Sequence, residues 1–103
     1  MSGANPWRGE AKLVLEGAER VLRPSFAALV AAEEELGSLF ALVERAGAGH
    51  LRLAEVAALF WHCLADAGEM SREAFSEAVL KLGLARAMAP LRALLEQILQ
   101  GAA

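Results

Sequence analysis

Hydrophobic and polar residues alternate near the start of the chain and then change period. Ala11, Leu13 and Leu15 fall on one face of an extended segment, with Lys12, Val14 and Glu16 on the other. That is the period-two signature of a half-buried strand. Glu16-Gly17-Ala18 reads as a turn, and Glu19–Arg23 as a second strand that stops at Pro24. Gly9–Arg23 is therefore predicted to be a two-stranded β-ribbon, behind a small polar lead over residues 1–8 that is expected to be flexible. A lone ribbon is marginal in water, so it must lie on helices or on a partner's sheet.

Beyond Pro24 the apolar spacing is helical. Ser25 suits an N-cap, Phe26, Leu29, Val30 and Leu36 mark a face, and Gly37 fits the position after the last turn. Ser38 caps a short helix carrying Leu39, Leu42 and Val43, which stops at Gly47-Ala48-Gly49. A third helix is predicted over Leu53–Ala67, closed by Gly68, with Glu55, His62 and Asp66 in one narrow polar stripe and nearly everything else apolar. A helix apolar almost all round belongs in the centre of a fold. Ser71 opens a fourth helix that runs to Gly83, with Glu73 in its first turn. The fifth is predicted over Ala85–Gln100, and Pro90 should either kink it or mark its start. The fold class is thus mostly α: a β-ribbon and four to five helices in one domain over residues 9–100.

Composition agrees with the pattern. The 103 residues include 23 Ala and 18 Leu against 6 Val, 1 Ile and no Thr, a balance that favours helix. Hydrophobic residues make up 56% and charged residues 22%, which excludes a disordered chain. The apolar share also exceeds the usual 45–50%. Trp7, Phe40, Trp61 and the fifth helix offer more large apolar groups than one small core readily hides, which points to a partner surface or self-association. The net charge is −3 and the 8 Arg are scattered, so no basic stripe for nucleic acid is visible. The longest apolar stretch, Val56–Ala65, is about half of the roughly 20 residues a membrane span needs. With no apolar core in Met1–Glu10 and a single Cys63, a cytoplasmic protein is expected.

Candidate chemistry is sparse. His62 and Asp66 stand four apart, a spacing that allows metal or acid–base work, but no second ligand cluster exists to complete a shell. The plainer reading is a solvent-facing stripe. Cys63 reads as a small buried hydrophobe, His50 as a solvated loop residue, and Gly47 and Gly49 as a helix breaker rather than a phosphate cradle. Glu33, Glu34 and Glu35 are odder, because three carboxylates in a last turn oppose the helix dipole. They are either a solvated helix end, at a cost of tenths of a kcal/mol, or an acidic docking patch for a basic partner segment. On the fifth helix Leu91, Leu95 and Ile98 form a ridge suited to helix packing, and so the candidate partner surface.

Arg8-Gly9-Glu10, the strand with Leu13 and Leu15, the turn Glu16-Gly17 and the strand ending Leu22-Arg23 together resemble a known opening. Phe26-Ala27-Ala28-Leu29, Glu33, Leu36-Gly37, Leu53-Ala54-Glu55-Val56 and Ala67-Gly68-Glu69 continue the likeness. The chain resembles the small tail protein of gene transfer agents and related tailed phages of α-proteobacteria, a family described as tail-tube-associated protein or tail assembly chaperone. The likeness spans about Trp7 to Gln100 and includes no catalytic signature; Pro90 and the triple Glu depart from it. It implies a non-enzymatic protein, and the residues themselves offer no site for a cofactor or metal, no basic stripe for nucleic acid and no membrane span. Its partners would be the tape-measure protein and the tail-tube protein, with homo-oligomerisation as a further use of the apolar surplus. The other readings are a structural component kept in the particle and a generic helical protein-binding regulator.

Overall fold

The computed structural model describes residues 10–100; the expected flexible lead over residues 1–8 and Trp7 lie outside them. The order of elements is β1 (Ala11–Leu15), β2 (Ala18–Leu22), α1 (Phe26–Leu36), α2 (Leu39–Gly47), α3 (Leu53–Cys63), α4 (Arg72–Leu82) and α5 (Leu84–Gln100). The predicted architecture of a β-ribbon followed by helices is what the chain adopts, with five helices. The strands pair antiparallel, Leu13 opposite Arg20 and Leu15 opposite Ala18. The turn is tighter than expected. Glu16 and Gly17 alone form it, both at positive φ (50° and 81°), which matches the twist of a two-residue hairpin. Ala18 therefore belongs to β2.

Ala11, Leu13 and Leu15 are buried and Lys12 and Val14 exposed, so the alternation sets the ribbon's orientation as predicted. The ribbon rests on α4 and α5 through β1. On its other side it meets the end of α3, where Leu22 and Leu64 form an antiparallel bridge. The Arg23 N–H donates to the Cys63 carbonyl at 2.6 Å, and the Ala65 N–H donates to the Val21 carbonyl at 3.0 Å. Here the structure departs from the predicted helix over Leu53–Ala67, since α3 ends at Cys63. Leu64 turns extended because β2 offers it hydrogen-bond partners that another helical turn would forgo.

The serine caps hold. The Oγ atoms of Ser25, Ser38 and Ser71 accept from the N–H groups of Ala28, Ala41 and Ala74, at 3.2, 3.4 and 3.1 Å. The centre of the core is α3, whose Val56, Ala57, Ala58, Leu59, Phe60 and Cys63 are buried. Around it pack Leu22, Leu42, Phe75, Val79 and Leu94, and Trp61 tilts against Phe75 with ring centroids 5.7 Å apart.

One expectation needs correction, and one open alternative closes. On α1, Phe26 is 85% exposed and Val30 is exposed too; Ala32 is the buried residue, with Ala28, Leu29 and Leu36 against the core. Small Ala residues let α1 approach α3 closely and rotate the larger Phe26 outward. Likewise α5 starts at Leu84 and contains Pro90 within it, so Pro90 does not open the helix. Gly83 alone joins α4 to α5, at φ 91°, a conformation glycine adopts without strain.

Candidate functional site

The helices leave an apolar hollow on the surface. It lies between α2 and the C-terminal half of α5, encloses about 360 Å³, and is walled by Val43, Ala46, Leu51, Met88, Leu91 and Leu95. Arg92 and Glu96 also border it. A second hollow of about 240 Å³ continues it past Val43 and Leu99, bounded by Leu29, Glu33, Phe40 and Ile98. The structure thus places Leu91, Leu95, Ile98 and Glu33 along one continuous surface. Phe40 and Leu99 project from it, 79% and 59% exposed. Contiguous apolar surface of this kind marks interaction sites on soluble proteins.

Phe40 counts among the surplus apolar groups in the sequence, but its place at this surface was not legible there. Leu39 and Leu42 hold α2 on the core, and Phe40 stands about 100° round the helix from Leu39. The signal that could have found it is this misfit, a large aromatic off the buried face of a short amphipathic helix. A third hollow beside the hairpin tip gathers Lys12, Lys81 and Arg86, with Glu16. Sequence reasoning missed this cationic group because its members lie on β1, α4 and α5.

The three glutamates that follow one another in sequence separate in space. Glu33 accepts the Leu39 N–H at 3.1 Å and so helps cap α2. Glu35 accepts from the Arg72 guanidinium and lies 2.8 Å from His62 Nε2. Glu34 is exposed on the same last turn. The expected polar stripe of α3 is dispersed as well. Glu55 is bound to Arg45 at 2.8 Å and to the Arg52 N–H at 3.0 Å. His62 faces Glu35, and Asp66 lies past the end of α3, accepting the Gly68 N–H at 2.9 Å. The plain solvated stripe is therefore corrected to three separate contacts. Cys63 is buried, and burial pushes its thiol up to about 12, which keeps it protonated and poorly nucleophilic at neutral pH.

Arg72, then His62, hold the Glu35 carboxyl at about 2, and Arg45, then the Arg52 amide, do the same for Glu55. Both groups are depressed in the folded chain. Their contribution is therefore present above the ordinary value of 4.5 and is lost as pH falls toward about 2. Solvent screening keeps each contribution to about 1 kcal/mol or less. Urea melts at stepped pH should show the doubly substituted Glu35→Gln, Glu55→Gln chain losing stability less steeply than wild type over that window. Equal slopes would mean that neither pair contributes in solution.

Among the described residues, no three His, Cys, Asp or Glu side chains are grouped to hold a metal ion. No described helix is long and apolar enough to cross a membrane. Comparison with curated proteins and with solved structures returns no match. The family described as "Phage tail tube protein, GTA-gp10" matches residues 8–101, the ribbon and all five helices together. With its apolar surface carried on a frame that the match covers end to end, the chain belongs to this family of phage and gene-transfer-agent tail proteins.

Proposed function

We propose that the protein is a tail assembly chaperone, a non-enzymatic adaptor that binds the tape-measure protein and helps tail-tube subunits assemble around it. The observation that carries this reading is the α2–α5 surface, where Phe40 and Leu99 project beside a hollow walled by Leu91 and Leu95. Covering one large apolar side chain is worth about 1.5–3 kcal/mol, so such a surface favours an apolar client. A tape measure, long and helical, offers apolar helix faces that need cover before the tube encloses them. Membership of a tail-protein family supplies the setting. On this reading the protein works in the cytoplasm of the bacterial host, without cofactor, nucleic acid or membrane.

A second reading is favoured by the family's description, which names the tail tube. The protein would then stay in the particle as a tube-associated component. Co-expression with the tape-measure protein separates these readings from a generic regulator. A soluble complex of the two is expected, and a tape measure that precipitates equally with and without this chain would end the chaperone reading. Mass spectrometry of purified particles should find the chain missing; a stoichiometric amount would establish the retained component instead.

A further inference from the structure

The two hollows share Val43 and Leu99 and follow one another along the α2–α5 seam, a channel in two parts. Its walls run antiparallel: Ala46 and Gly47 of α2 lie with Met88 and Leu91, whereas Leu39 and Phe40 lie with Ile98 and Leu99. From Met88 to Leu99, α5 rises about 16 Å, or three helical turns. We propose that this channel takes one amphipathic helix of the partner, with a Lys or Arg at the end that reaches Glu33 and Glu34. This identification of the bound segment rests on the chaperone reading above.

The backbone decides for a helix over a strand. Walls made of helices have their N–H and C=O groups already paired, so an extended segment laid on them finds no ladder partners. A helix brings its own hydrogen bonds and needs only side-chain contact. Met88, Leu91, Leu95 and Leu99 recur every three or four residues, which gives the grooves that a second helix's ridges fill.

Charge decides the orientation. At the Phe40 end Glu33 borders the channel, and Glu34 follows it, exposed, on the last turn of α1. The C-terminus of α5 lies at the same end, and neither α1 nor α5 has a basic residue in its last turn. Two helix ends carrying partial negative charge therefore add to the carboxylates. The Arg72 guanidinium and the His62 ring are taken up by Glu35. The α2 N-terminus offsets part of the charge on Glu33 through the Leu39 N–H, and Glu34 has no such contact there. Along α5 the charge runs the same way, with Arg92 nearer the Met88 end and Glu96 nearer the Leu99 end. A second copy of the chain fits less well. Its exposed α1 row, Phe26 and Val30, runs into its own Glu33 and Glu34 and would bring acid onto acid.

The test uses the full chain and overlapping peptides of about 18 residues, five helical turns, that span the tape-measure protein. Fluorescence anisotropy should pick out peptides with an apolar residue every third or fourth position and a flanking Lys or Arg, and circular dichroism should show them turning helical when bound. Glu34→Lys should weaken that binding by about five- to tenfold at low salt, the scale of one ion pair near a surface, and less at high salt. Binders without a basic residue, or an unchanged affinity for Glu34→Lys, would overturn the proposal. So would silence from every peptide while the intact tape measure still co-purifies, an outcome that leaves the chaperone reading standing. If the intact tape measure fails to bind as well, both fall. Sedimentation that finds a dimer dissociated by Phe40→Asp would show a second copy covering the channel, contrary to the proposal.

Discussion

Replacing Phe60 by alanine is expected to lower the stability of the fold by about 3–5 kcal/mol, the usual result of emptying a buried aromatic site. Phe60 is fully buried in α3, the helix that packs on α1, α4 and α5 at once. No single neighbouring element is free to collapse into the space. Small domains have only about 5–15 kcal/mol in total, so the loss is a large share. Urea melts should place the midpoint lower by about 1 M or more, given the slopes of small proteins. The adjoining Trp61 supplies an internal control. It is half-buried and leans on Phe75, so Trp61→Ala should cost less than Phe60→Ala. A Phe60→Ala midpoint equal to wild type would remove this residue from the core.

The largest functional effect is expected at Phe40. Being 79% exposed, it contributes little to the core, and Phe40→Asp should leave stability within about 0.5 kcal/mol of wild type. In the complex the same change removes an apolar anchor and sets a carboxylate against Val43 and Leu99. Loss of a buried anchor at an interface costs about 2 kcal/mol or more, and desolvating the new charge adds to it. Capture of the tape measure should fall by about a hundredfold, beyond what co-purification detects. Leu95→Asp tests the floor of the channel. Because Leu95 also packs on the core, circular dichroism must first show its helices intact. Two folded variants that still keep the tape measure soluble would place the client on another face.

Features built from neighbours in the chain were legible. Glu16-Gly17 announces a turn, Ser25, Ser38 and Ser71 announce helix starts, and the apolar girth of Val56–Cys63 announces a central helix. What escaped depends on distant partners. Nothing in Leu64-Ala65 opposes helix; the segment unwinds because Leu22 waits beside it. Glu33, Glu34 and Glu35 look like one patch until Leu39 engages the first and Arg72 and His62 the third. The ridge of Leu91, Leu95 and Ile98 could be drawn on a helical wheel. Its opposite wall, Val43 and Phe40, could not, because only tertiary packing brings α2 alongside α5.

The stitch between Val21–Arg23 and Cys63–Ala65 also bears on how the chain folds. A hairpin this short forms within about 1–10 μs as a local event, yet alone it does not persist. It is held only once the chain has travelled through α1 and α2 and returned along α3, a loop of about 40 residues whose closure entropy falls due first. Ribbon and central helix are therefore expected to gain and lose their protection together. The amide hydrogen of Arg23, at the very edge of the ribbon, should exchange with solvent only when the end of α3 lets go.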